Sequence, residues 1–174
     1  MNIQNFFKKA GFTLIELLVV VAIISLLSSI VLASLNSARV KGRNAKRMLE
    51  LHTVELALDQ YFLTNGTYPD GDNDGCSGWD VGNKDYPFLN GKMPGILNDA
   101  PRDPTKTGNC DGYHYFHYSA GYSGCPASWG RFYILGTYLE PNNMPNPNPN
   151  MILPAPCSDW WSSFSYGRYK FENH

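Results

Sequence analysis

From Phe12 to Leu35 the chain runs through apolar and small residues with a single formal charge, Glu16. At about 1.5 Å of rise per residue, a helix of that length crosses the hydrocarbon of a membrane. A carboxylate near the start of such a helix is costly in lipid and marks a functional position. Secretory signals place their small-residue cleavage site after the apolar region. Here the small residue, Gly11, comes before it, directly behind Lys8-Lys9-Ala10. A cut after Gly11 would leave the apolar helix on the mature chain.

Past Leu35 the pattern changes without a break. Arg39, Lys41, Arg43, Lys46 and Arg47 crowd the next turns. Leu51, Val54, Leu58 and Tyr61 then recur at helical spacing, with Glu50, Glu55 and Asp59 between them, the signature of a half-buried helix. Asn65-Gly66 is a strong C-terminal stop. Turn formers dominate as far as Gly112, and three aromatic segments follow that read as strands: Tyr113 to Tyr118, Arg131 to Leu139 and Tyr166 to Phe171. The segment from Pro141 to Pro156 holds six prolines and reads as an extended surface loop. The expected fold class is α+β: one long N-terminal helix packed on a small antiparallel β-sheet head. Three regions follow, a leader over 1–11, the helix over 12–65 with its membrane half at 12–35, and an exported head over 66–174.

Lys8-Lys9-Ala10-Gly11-Phe12-Thr13-Leu14-Ile15-Glu16 resembles the cleavage motif of type IV prepilins and type II secretion pseudopilins. The resemblance is specific from Lys8 to about Pro69, where Asn65-Gly66-Thr67-Tyr68-Pro69 is similar to the turn by which pilins leave the helix, and architectural beyond it. It implies that a prepilin peptidase cuts after Gly11 and methylates the Phe12 amine. It also implies that Glu16 pairs with that amine, mostly across subunits, and so sets helix register in a filament. A carboxylate buried among helices does need such a positive partner. Most relatives carry a proline where this chain has Ala33, so local melting of the helix there is not implied. Ala22, Ser25, Ser29, Ala33 and Ser37 form a small-residue stripe that lets helices approach closely, or are simply serines tolerated in the segment.

Four cysteines, Cys76, Cys110, Cys125 and Cys157, all lie beyond the helix, and none form a CxxC pair. That argues for disulfides in an oxidising compartment rather than zinc. Three pairings are open; Cys76–Cys110 with Cys125–Cys157 is preferred because both close local loops. Asp70-Gly71-Asp72-Asn73-Asp74-Gly75 matches the first half of a calcium loop, with Asp70, Asp72, Asp74 and the Cys76 carbonyl as ligands. Val81 stands where that loop normally has a bidentate Glu, leaving Asp80 or Asp85 as substitutes. His114 and His117 fall on opposite faces of one strand and discourage a shared metal. Trp160-Trp161, with Phe164 and Tyr166, form either a contact surface or sheet packing.

Charge sharpens the division of labour. Up to Asn65 there are seven Lys/Arg against four Asp/Glu, and beyond it seven against eleven. The basic turns suit DNA or anionic headgroups, or a solvated face that meets acidic residues of neighbouring subunits. The positive-inside rule would hold them in the cytoplasm, whereas the prepilin orientation exports them; the motif takes precedence. No phosphate loop or hydrolase signature is present, and no enzymatic activity is expected. The chain reads as a filament subunit of type IV pilus kind, for adhesion, motility or DNA uptake. It would wait in the cytoplasmic membrane as a single-pass prepilin, and its partners would be other pilin subunits, the peptidase, an inner-membrane assembly platform with its ATPase, and membrane lipid. A pseudopilin of a type II secretion system is the alternative, and a membrane-anchored binding module that never polymerises is a third.

Overall fold

The computed structural model describes residues 11–72, 75–140, 152–158 and 164–173, apart from the side chains of Ala33 and Cys76. Most of the proline-rich segment and Trp160-Trp161 lie outside the described residues.

Thr13 and Glu16 start the long helix by capping each other. Thr13 Oγ1 accepts the Glu16 N–H at 3.3 Å, and Glu16 Oε2 accepts the Thr13 N–H at 2.9 Å. Two otherwise orphaned amides are satisfied reciprocally, as in a capping box. Helix α1 then runs from Leu14 to Asn65. It ends where Gly66 takes φ 72° and returns its N–H to the Phe62 carbonyl at 2.8 Å, a conformation that glycine adopts without steric penalty.

The chain divides into two units after Arg39. In the first, the described side chains are exposed throughout, and α1 is long and apolar enough to cross a membrane. The serines there do not carry idle hydroxyls. Ser25 Oγ donates to the Val21 carbonyl at 2.7 Å and Ser29 Oγ to the Leu26 carbonyl at 2.8 Å, so each hydroxyl is satisfied inside its own helix.

In the second unit α1 packs on a four-stranded antiparallel sheet of β1 (Asp80–Gly82), β2 (Tyr113–Tyr118), β3 (Phe132–Thr137) and β4 (Tyr166–Phe171), ordered as they occur in the chain. The three expected strands are present, the middle one trimmed to Phe132–Thr137, and β1 is an addition. Strand alternation splits the core in two. Tyr113, Tyr115, Tyr133 and Leu135 face the helix with Leu51, Val54 and Leu58. Phe132, Ile134, Phe171 and Trp79 pack on the far side, with Phe164 and Leu153. A Cβ at Gly136 would lie 2.8 Å from the Phe164 ring, so only glycine lets that aromatic lie flat on β3. Tyr68 fastens the turn after α1, stacking on Phe62 at 4.8 Å and meeting Tyr133 edge-on at 4.6 Å.

Arg47 joins the helix to two distant segments. Its side chain is 2% exposed; Nε lies 2.6 Å from Asp103 Oδ2, and Nη2 lies 2.7 Å from both Glu140 Oε1 and Thr105 Oγ1. Arg43 also pairs with Glu140, and Asn44 exchanges two hydrogen bonds with the Glu140 backbone, at 2.6 and 3.0 Å. Of the basic turns, Arg43, Lys46 and Arg47 meet acids of their own chain. Arg39 and Lys41 remain exposed.

Burial alone would raise the Asp103 carboxyl, but hydrogen bonds from Arg47 and Thr105 outweigh it and hold the group below the ordinary carboxylate range. At Glu140 the Arg43 hydrogen bond is the largest influence and also lowers it. Both folded values are depressed, so their contribution is fully present above the unfolded carboxylate range, about pH 4. It is lost as pH falls from there through the folded values. Arg47→Ala should cost about 3–5 kcal/mol by stranding a buried carboxylate, read by denaturant unfolding of the detergent-solubilised full chain. Arg47→Met with Asp103→Leu should recover much of that loss and flatten the acid limb of stability against pH.

Candidate functional site

The N-terminal site is built on the opening turn of α1. Phe12 precedes the turn and is 87% exposed. It lines one shallow apolar face with Ile15, Glu16, Val19 and Val20. Glu16 Oε2 accepts the Thr13 hydroxyl at 2.7 Å as well as the Thr13 amide. The carboxylate is therefore drawn back toward the chain start, onto the residue that follows Phe12. Thr13 is the functional neighbour that sequence reasoning passed over, although the Thr-x-x-Glu spacing announces it. Gly11 is exposed and an added Cβ there would meet nothing within 4 Å. Lys8 and Lys9 lie outside the described residues.

In the head, two of the three aspartates expected to converge on calcium, Asp70 and Asp72, pair with basic side chains. Asp70 Oδ1 lies 2.6 Å from Arg131 Nη2 and 3.0 Å from His117 Nδ1. Burial pushes that carboxyl up, and Arg131 followed by His117 outweigh it, leaving Asp70 lowered. Asp72 pairs with Lys92 at 2.7 Å. Of the substitutes, Asp80 is fully buried and accepts the amides of Asp72 and Leu89, while Asp85 accepts the Gly108 amide at 2.7 Å. Asp74 and the Cys76 side chain lie outside the described residues. Among the described residues no group of three or more His, Cys, Asp or Glu is arranged to hold a metal.

The two histidines point to opposite sides of β2. His114 lies between the Gly112 and Cys110 carbonyls at 3.1 and 3.0 Å and packs on Phe164, with ring centroids 5.0 Å apart. His117 is on the helix side with Asp70 and Glu172. Burial pushes both below the ordinary imidazole range, with Arg131 adding to the effect at His117. Cys125 and Cys157 form a disulfide across 32 residues, tying the segment before β3 to the one before β4. Cys110 is also disulfide-bonded.

Comparison with known proteins agrees with the N-terminal geometry. The family described as "Prokaryotic N-terminal methylation motif" matches residues 6–32, which include Gly11, Phe12 and Glu16. The chain is 36% identical over 66 residues to the type II secretion system core protein G of Pectobacterium carotovorum subsp. carotovorum, covering 38% of this chain and 42% of that one. It is 40% identical over 62 residues to the core protein G of Vibrio cholerae, covering 36% and 42%. For the Escherichia coli (strain K12) protein the figures are 40% over 62 residues, covering 36% and 43%. The chain thus spans about two fifths of the length of these relatives. No solved structure matches it.

Cys157→Ser, which opens the Cys125–Cys157 loop, should destabilise the head by about 3–4 kcal/mol on the loop-entropy relation. In a thermal melt of the full chain, reductant should destabilise the wild type by at least as much, because it opens the Cys110 disulfide as well, and the variant should respond less to reductant than the wild type does.

Proposed function

From a chain that carries the N-terminal methylation motif of the type IV pilin and type II secretion pseudopilin family, we propose a structural pseudopilin, a core subunit of a type II secretion system. It is cut after Gly11, methylated at Phe12 and assembled through α1. The observation that carries this reading is the Gly11-Phe12 junction and Glu16 at the head of an apolar segment, Phe12 to Leu35, whose described side chains are all exposed. Such a surface has no stable place in water, and bilayer and filament each supply one. The relatives named above are secretion proteins, which favours a pseudopilus over the type IV pilus expected from the sequence. The three regions 1–11, 12–65 and 66–174 then act as leader, assembly helix and exported head.

Glu16 acts at two stages. In the uncut chain its carboxylate closes the first turn by accepting from Thr13. After cleavage the Phe12 amine is freed beside Thr13, four residues before Glu16, and a neighbouring subunit's amine is the cation that a Glu16 carboxylate buried among helices requires. Subunits wait in the inner membrane, and their partners are the prepilin peptidase, other subunits, and an assembly platform with its ATPase. The protein is a substrate of that machinery.

Intact mass of the chain recovered from host membranes and from a periplasmic filament fraction tests the reading. A mature species starting at methylated Phe12 is expected in both, and an uncut chain starting at Met1 in both would overturn it. Glu16→Ala should leave membrane insertion and head stability unchanged. Loss of a buried ion pair costs about 3–5 kcal/mol, which should lower filament yield by more than about a hundredfold.

A further inference from the structure

Asparagine is followed by glycine twice in this chain, at Asn65-Gly66 and Asn90-Gly91. In such a pair the glycine's backbone nitrogen can reach the asparagine's side-chain carbonyl carbon, because no Cβ shields that nitrogen or restricts its approach. By sequence the two pairs are equivalent. The fold treats them oppositely.

At the end of α1 both reacting groups are committed. Asn65 Nδ2 donates to the Tyr61 carbonyl at 2.9 Å, and the Gly66 N–H donates to the Phe62 carbonyl at 2.8 Å. The attacking nitrogen and the leaving amide are both held by the last turn of the helix, so they meet only when that turn opens.

Asn90 and Gly91 instead form the centre of a four-residue turn, closed by the Lys92 N–H donating to the Leu89 carbonyl at 3.1 Å. The residues on either side are fixed. Leu89 and Met93 are buried, the Leu89 N–H donates to the Asp80 carboxylate at 3.2 Å, and Lys92 Nζ lies 2.7 Å from Asp72. The tip is free by comparison. Asn90 and Gly91 are both exposed, and a Cβ at Gly91 would meet nothing within 4 Å. Among the described residues, neither the Asn90 side chain nor the Gly91 N–H has a hydrogen-bond partner. The peptide between them can turn over while the closing bond stays in place.

We propose that Asn90 is a site of spontaneous deamidation, with Gly91 as the attacking residue and Asn65 protected by the fold. Hydroxide takes the proton of the Gly91 N–H, and the nitrogen's electron pair forms a bond to Asn90 Cγ. The Cγ–Nδ2 bond breaks, and Nδ2 leaves as ammonia with a proton from water, which restores the hydroxide. A second water opens the cyclic imide at either carbonyl, giving aspartate or isoaspartate. One water is consumed and one ammonia released, with no oxidant or reductant. Either product adds a negative charge two residues before Lys92, and isoaspartate also lengthens the backbone of the turn by one carbon. The site needs no partner and holds whether or not copies of the chain assemble.

The test incubates the folded, detergent-solubilised full chain in mildly alkaline buffer, then digests it and weighs its peptides. The Asn90 peptide should gain the mass of an amide-to-acid exchange and split into aspartate and isoaspartate forms. The Asn65 peptide should convert at least about tenfold more slowly, since it waits on local opening. In denaturant the two should convert at similar rates. N90Q, whose longer side chain closes the ring poorly, should abolish the gain at that position and keep the wild-type melting temperature, because the residue is exposed. An Asn90 that stays an amide would overturn the proposal. So would an Asn65 that keeps pace with it in the folded chain, or that stays slow in denaturant.

Discussion

The head is held in register on its helix by one buried guanidinium. Arg47 reaches Asp103 and Thr105 on one segment and Glu140 on another, all within 2.7 Å, and Asn44 completes the set through the Glu140 backbone. Desolvating these charges largely offsets their attraction, so such a cluster contributes specificity more than raw stability. Apolar contacts of Leu51, Val54 and Leu58 against the tyrosine-rich sheet supply the driving force for docking. They are tolerant of small slides along the helix; the forked hydrogen bonds of Arg47 are not. The sheet, its turn at Tyr68 and the segment through Asp103 therefore share one register.

Much of this architecture was legible in the sequence because it is written in local periodicity. The apolar run, the stripe from Leu51 to Tyr61, the stop at Gly66 and three aromatic strands all follow from spacing within a few residues. Strand β1 did not, since Asp80–Gly82 is three residues among turn formers and exists by pairing with Tyr113–Tyr115. The destinations of charge were also hidden. Asp70 and Asp72 look like a cation loop when read with their neighbours only, but their partners Arg131 and Lys92 are brought up by the fold. Likewise the basic turns gave no local sign that Glu140 would fold back onto Arg43 and Arg47.

At the N-terminus, legibility and function coincide more closely. Gly11, Phe12 and Glu16 are singled out by motif spacing, and the structure adds Thr13 as the residue that holds the Glu16 carboxylate at the helix start. A helix N-terminus favours negative charge, so the same side chain that caps the helix is oriented toward the site where processing would release an amine. Ser25 and Ser29 complete the picture along the helix, their hydroxyls folded onto its own carbonyls. Moving the segment from lipid to protein then strips no hydrogen bond from either.

The internal pairing of charge across the head has a consequence for how copies recognise one another. Arg43, Lys46, Arg47, Lys92, Arg131, Arg168 and Lys170 each find an acid on their own chain. Pairs closed at such short range project little field of their own beyond a Debye length, about 8 Å at physiological ionic strength, and what reaches farther is the head's surplus of four acids, eleven against seven. Long-range steering, which speeds oppositely charged partners together in dilute buffer, is left to that net negative charge. Two copies of such a head would repel one another weakly, and salt would screen that repulsion and ease their approach.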